Sequence, residues 1–410
     1  MKILVVTTKS PYPLFEGRAL RTYNLIRQAT LTHEVHLLSF VQTPEDLAGL
    51  EHMRTLCPVV ESEKLYFDGS RWPLVRDAAR ELFSRAPLPV VKYRTAAMRA
   101  RMRRLLAEHA YDLVHLDMLH LADYQDLCGD VPVVLGEHNV EHVILQRRAD
   151  TETRLLQRTY LRYQAAKLKR YEAQACRRAH HVVSVSDLDT AQLQALAPGA
   201  PVTTVPNGVD TSFFCAQGTP RQPDQLVFVG GFTWFPNLDA IRHFCEDILP
   251  RLLQARPSVR LTVIGHCPDS PAVRELAAHP QVTLTGLVDD IRPYVDAAAA
   301  YIVPLRIGGG TRLKILDALA MSKAIVSTSV GCEGLAVTDG QNILVADGPE
   351  AFAEAVLQVL REPTLARSLG QQGRALVEQR YDWAAVARDL MAVYSQTAAR
   401  RAPPARLSPA

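Results

Sequence analysis

The stretch AAAYIVPLRIGGGTRLKILDALAM, residues 298–321, is an apolar run, a glycine turn and an amphipathic run in succession. The order predicts a buried strand that turns, through three glycines, into the first turn of a helix. Glycine lets backbone approach a ligand closely, and the free amides and positive dipole end of a helix favour an anion. Arg312 and Lys314 add two full positive charges in that first turn, and the spacing of Gly310, Lys314 and Asp317 places a carboxylate on the lysine's face. Phosphates at the helix end and ribose hydroxyls at Asp317 make a nucleoside-diphosphate site the reading of this stretch. Two plainer readings stand beside it: glycine punctuation before a solvated first turn, and Asp317 as a surface carboxylate. The run has neither the GxxxxGK[ST] spacing of a P-loop nor the GxGxxG of a dinucleotide fingerprint.

Working outward, 410 residues suit two domains of about 200 residues each. Hydrophobic content of 48% and charged content of 22% describe a globular chain, and a net charge of +3 gives no argument for nucleic acid. Local charge says more: residues 147–178 hold ten Lys or Arg against three Asp or Glu. That segment reads as a solvated helix face, or as a surface for anionic lipid or a phosphate-bearing acceptor and so a possible peripheral membrane contact. The seven cysteines stand singly, with no CxxC pair, which argues for a reducing compartment and against a zinc site. No stretch approaches the roughly 18 apolar residues of a membrane span, so the expected location is cytoplasmic.

Short β-branched runs alternate with helical patterns throughout, the signature of parallel sheets covered by helices. Strands are expected at KILVVTT (Lys2), VHLLSF (Val35), DLVHLDM (Asp112), VPVVLGE (Val131), HVVSVS (His181) and VTTVP (Val202). A second set begins at Leu226, Arg260, Val282, Tyr301, Ala324 and Ile343. Between the sets VPNGVD breaks any regular element, with Asn207 serving the turn, and places a domain boundary near Asp210. The fold class is therefore α/β, two doubly wound Rossmann-like domains, 1–210 and 211–380. RYDWAAVARDLMAVYSQ from Arg380 reads as an amphipathic helix (about 381–398), and the tail 401–410 as disordered. Ligands of open parallel sheets bind outside the carboxyl ends of strands, which selects loops 8–17, 136–142, 184–187, 230–237, 265–268, 307–314 and 329–333. Two such sheets facing each other would form a cleft.

In this order the signals resemble the retaining, nucleotide-sugar-dependent glycosyltransferases of the GT-B fold, the family 4 group with many bacterial polysaccharide and glycolipid enzymes. The carriers are PYPLFEGRALRTYNL (Pro11), HNVE (His138), VSVSD (Val183), VPNGVD (Val205), VGGFTWFPNLDAI (Val229), GGGTRLKILDALAM, STSVGCEGL (Ser327) and YDWAAVARDLMAVY (Tyr381). The resemblance runs from about Met1 to Tyr394. It implies a C-terminal helix that crosses back to the first domain, and a hexose moved from a nucleoside diphosphate to a glycan or lipid-linked acceptor.

Residue by residue, the resemblance puts the donor diphosphate on Gly309, Gly310, Thr311, Arg312 and Lys314, with Gly231 in the loop after the second domain's first strand. The ribose carboxylate falls on Asp317, one methylene shorter than the usual Glu. His138 lies where a histidine meets the donor sugar, Gly17 where a loop closes over the diphosphate, and Tyr12, Glu16 and Arg18 on the acceptor side. The family's sugar-binding Glu is replaced by Gly309, and its usual Arg and Lys pair is missing from GGFTWFPNLDAIRHF, where Arg242 is the cation. Catalysis is then expected from His138, Arg312 and Lys314, with no metal or other cofactor, the cations stabilising charge on the departing diphosphate. EHNVEH also admits a metal reading of His138 and His142, or a purely structural histidine, and Trp234 and Phe235 are expected in the core, with stacking on a ligand as the alternative. Rival functions are a nucleotide-sugar epimerase of the same fold and a GT-B scaffold that binds without catalysis.

Overall fold

The computed structural model describes residues 1–14, 16–65, 86–307 and 313–400. The tail 401–410 lies outside them. The chain parts into two compact units, Met1–Pro206 with Val386–Ala410, and Asn207–Ala385.

The first unit is built on a parallel sheet of seven strands: β1 (Lys2–Thr7), β2 (Glu34–Val41), β3 (Val59–Lys64), β4 (Leu113–Asp117), β5 (Val133–Gly136), β6 (His181–Ser184) and β7 (Val202–Thr204). Their spatial order is β3-β2-β1-β4-β5-β6-β7. Ile3, Leu4 and Val6 of β1 are fully buried, as expected of a central strand covered on both faces. The sequence pattern missed β3, whose VVESEK carries charge on an edge. Those charges keep the edge from pairing further, and the helix Ala96–Glu108 takes them up: Arg101 Nε donates to Glu63 at 2.9 Å and Arg104 to Glu61 at 2.6 Å.

The second unit holds β8 (Gln222–Val229), β9 (Arg260–Ile264), β10 (Val282–Leu284), β11 (Ala298–Val303), β12 (Ile325–Ser327) and β13 (Leu344–Val345). They form a parallel sheet in the order β10-β9-β8-β11-β12-β13. Side chains alternate between two cores. Phe228 and Ile302 pack into one with Phe244 and Phe352, while Val227, Tyr301 and Val303 pack into the other with Ile315, Leu316 and Leu319. Both faces are thus sealed, by helices Pro349–Arg361 and Leu313–Ala320 among others. Trp234 and Phe235 are not core residues: they are 41% and 63% exposed, because they stand at the start of helix Phe235–His243, where no layer covers them.

All seven cysteines are free thiols. The closing helix runs over Trp383–Ala399, with Val386, Leu390 and Val393 buried at helical spacing, and from Val386 onward it belongs to the first unit. There the Tyr394 hydroxyl meets His115 Nδ1 at 3.0 Å.

Candidate functional site

In each sheet the strand order reverses direction beside one central strand, between β1 and β4 in the first and between β8 and β11 in the second. The carboxyl ends at such a reversal leave a crevice that neighbouring loops do not fill. The charged residues of interest gather at these two places.

In the first unit the end of β4 supplies Asp117, which is buried. Its Oδ1 lies 2.7 Å from His138 Nε2, just beyond β5, and 3.6 Å from His115 Nε2. Its Oδ2 accepts from the Thr22 hydroxyl at 2.6 Å. Burial alone would raise the pKa of Asp117, but the adjacent His138 and His115 outweigh it and hold the carboxyl well below its ordinary value. An ionised Asp117 can only accept, so the His138 Nε2–H donates to it. Met118, the next residue, has φ of +130°, a strained conformation for a non-glycine residue at the strand's exit.

The loop that carries His138 is fastened from outside. Glu172, fully buried on the helix Leu155–Arg178, accepts from the Glu141 amide at 2.8 Å and from His142 Nδ1. It thereby caps the helix Glu141–Thr151, which has no side-chain cap of its own. Glu137 beside it is buried with no hydrogen-bond partner for either oxygen among the described residues, and burial together with Glu172 pushes its pKa well up. Burial and Glu172 likewise raise Glu141 to about 7. His138 and His142 turn to different carboxylates, Asp117 and Glu172.

The loop after β1 closes on itself. Glu16 sits between Lys9, at 2.9 Å, and Arg18, at 2.7 Å, and these two contacts overcome partial burial to lower its pKa. Arg18 also reaches the Thr8 hydroxyl at 3.3 Å. Tyr12 stacks on His52 with ring centres 4.1 Å apart, and a methyl on Gly49 would fall 1.9 Å from the Tyr12 carbonyl oxygen, so this tyrosine is held by the helix Pro44–Met53. Glu16, Lys9, Ser10 and Asp46 line a cavity of about 270 Å³. Gly17 opens the helix Gly17–Ala29.

In the second unit β8 leads into Gly230 and Gly231. A methyl on Gly230 would lie 2.6 Å from both Lys314 Nζ and Asn237 Nδ2, so only glycine lets them approach this backbone. Lys314 Nζ donates to Asn237 Oδ1 at 2.9 Å and stands 4.2 Å from the centre of the Phe228 ring. Asn237 in turn donates to the Gly231 carbonyl at 2.8 Å. Asp317 follows one turn along the same helix, and desolvation raises it to about 7. Its neighbour Tyr301 is buried. Arg306, beyond β11, forms a forked pair with Asp239 at 2.6 and 3.1 Å.

Of the expected residues, Lys314 and Gly231 thus share Asn237 at one end of the second sheet, with Asp317 one turn further along the helix; His138, Glu16 and Tyr12 stand on loops of the first unit, and Gly17 and Arg18 open its helix Gly17–Ala29. Gly309, Gly310, Thr311 and Arg312 lie outside the described residues. Sequence reasoning missed Asp117, Asn237 and Glu172. Each had a signal: an acid at a strand's last residue, an asparagine in a helix's first turn, and a lone acid on the basic helix.

Two parallel sheets with charged residues and close-approach glycines at their carboxyl ends define the GT-B class. Solved structures of this architecture include sucrose-phosphate synthase from Thermosynechococcus elongatus, with TM-score 0.68 and 18% identity over 97% of this chain and 98% of that one. Another is the Anabaena protein HepE in complex with UDP, with TM-score 0.69 and 14% identity over 97% and 100%. Family models match residues 17–213, as Glycosyltransferase Family 4, and 223–362, as Glycosyl transferases group 1. The chain belongs to this glycosyltransferase family. A phosphatidyl-myo-inositol mannosyltransferase of Mycobacterium tuberculosis is 30% identical over 233 residues, 53% of this chain and 59% of that protein, so the match spans little more than half of that relative. An uncharacterized 44.6 kDa protein in the cps region of Klebsiella pneumoniae is 21% identical over 93% of this chain and 96% of its own. No helix among the described residues is long and apolar enough to cross a membrane.

Proposed function

We propose that this protein is a retaining glycosyltransferase that moves a hexose from a nucleoside diphosphate to a glycan or lipid-linked acceptor in cell-surface polysaccharide or glycolipid synthesis. The observation that carries the reading is Lys314, held by Asn237 over Gly230 at the carboxyl end of β8, with Asp317 one turn further on. An ammonium placed there stabilises negative charge that grows on a departing diphosphate, and Arg312 adds to it. Asp317 accepts hydroxyls of the ribose.

His138 contacts the donor sugar through Nδ1, its ring oriented by Asp117. The departing phosphate oxygen takes the acceptor's proton on the same face of the sugar, so no second carboxylate at glycosidase spacing is needed. Glu16 and Arg18 line the acceptor side. The experiment is an assay of nucleotide release from UDP-, GDP- and ADP-hexoses with and without membrane-lipid and oligosaccharide acceptors. Release that requires acceptor, and yields a product whose anomeric proton keeps the donor's configuration, supports the reading. Interconversion of donor sugars without acceptor would replace it with an epimerase.

A further inference from the structure

Asp117 is held from two sides, and one of them leads to the far end of the chain. His115 precedes it by two positions on β4, so both side chains leave the same face of the strand. His115 is buried, and its Nε2 lies 3.6 Å from Asp117 Oδ1, the oxygen that also faces His138. Its Nδ1 meets the Tyr394 hydroxyl of the closing helix at 3.0 Å, across 279 positions of sequence. Gly136, opposite Asp117 in the pairing of β4 with β5, leaves room for the two groups. A methyl there would fall 3.1 Å from His115 Nε2 and 3.4 Å from Asp117 Oδ1. The space that His115, Asp117, Thr22 and Tyr394 help to line is about 20 Å³, room for a water molecule and for no larger ligand.

The charges decide where the protons sit. An ionised Asp117 can only accept, so a neutral His115 ring is most stable with its proton on Nε2, turned toward the carboxylate. At 3.6 Å that contact is longer than a full hydrogen bond and acts as a charge–dipole attraction. The Nδ1 of this tautomer is an acceptor, and the Tyr394 hydroxyl, whose pKa burial raises, donates to it. The other tautomer would aim a lone pair at a buried anion and push the carboxylate away from its place. We propose that His115 and Tyr394 are positioning residues for His138: the Tyr394 hydroxyl selects the His115 tautomer that holds Asp117 in line with the His138 ring. The proposal rests on the reading in which His138 meets the donor sugar, and it ties the closing helix to that site.

The test compares the full chain with Tyr394→Phe, which keeps the ring and removes one hydroxyl, and melting temperatures establish that each variant is folded. Ring-nitrogen NMR of the unliganded, histidine-labelled protein should show His115 protonated at Nε2 in the parent. In Tyr394→Phe it should show a mixture of tautomers, with the His138 Nε2–H signal shifted and broadened. In the acceptor-dependent nucleotide-release assay, Tyr394→Phe should lower kcat about three- to tenfold, the loss of one neutral hydrogen bond, with the acceptor KM unchanged. His115→Gln supplies the decisive background, because its amide has no tautomers and donates to Asp117 without help. There Tyr394→Phe should cost less than about twofold, a non-additivity that a loss of packing alone would not produce. Parent-like His115 and His138 signals in folded Tyr394→Phe would overturn the proposal, and so would altered signals with an unchanged kcat. The spectra need no substrate, so a parent without transfer activity counts against the glycosyl-transfer reading and is told apart from a failure of the relay.

Discussion

Two aspartates stand near the strand ends of the two sheets and have opposite characters. Asp117 is buried but faces His138, His115 and Thr22, and is held ionised far below its ordinary range. Asp317 is desolvated, with no compensating cation among the described residues, and its pKa is raised to about 7. The same side chain is thus settled internally in one unit and left in want of donors in the other. The difference separates positioning from recognition: Asp117 orients a ring that is already in place, whereas Asp317 gains its hydrogen bonds only when a ligand brings hydroxyls.

The largest expected effect belongs to the recognition end. Lys314→Ala should lower turnover by about two orders of magnitude, the loss typical of one charge-stabilising donor, measured as initial rates of nucleotide release. Asp117→Asn comes next, at about 10- to 100-fold, since an ionic hydrogen bond of about 1.5–3 kcal/mol orients His138. Adding His138→Ala should lower the rate little further, because the two act as one unit, and multiplicative losses would break that pairing.

Asp317→Asn sharpens the contrast through pH. Nucleotide affinity of the parent should rise as pH rises through about 7, because the ionised form accepts ribose hydroxyls, while the variant binds about tenfold more weakly with a flat profile. Stability should respond in the opposite sense. Its folded value lies above the unfolded one of 3.8, so the carboxyl's contribution is complete below that value and is lost as pH rises through about 7. The unliganded variant should therefore melt higher than the parent at pH 8, and a lower melting point there would contradict the desolvation argument. The smallest effect is expected for Glu172→Gln, which weakens a cap and a contact to His142. It should reduce stability by about 1–3 kcal/mol in urea titrations and activity by only a few-fold.

How much of this was legible beforehand follows from the range of the interactions. Strands such as KILVVTT and LVFVGG declare themselves because a strand buried on both faces must be apolar, and β3 hid because an edge strand need not be. Lys314 and Asp317 were legible because one helical turn links them. Asp117 and His138 are 21 residues apart on different strands, and only the parallel pairing of β4 with β5 makes them neighbours. Asn237 is separated from Lys314 by 77 positions, so its amide carried no sequence signal of its partner. Trp234 and Phe235 misled because aromatic character predicts burial only where a second layer exists to provide it.

The most direct measurement is a thermal-shift panel of UDP, GDP and ADP against the parent chain and Lys314→Ala, each at pH 6 and pH 8. One nucleotide should raise the parent's melting temperature, more at pH 8 than at pH 6, and the rise should be lost in Lys314→Ala. A panel in which none of the three shifts the parent, or in which the shift survives in Lys314→Ala, would contradict the assignment of the second unit as the donor-binding half.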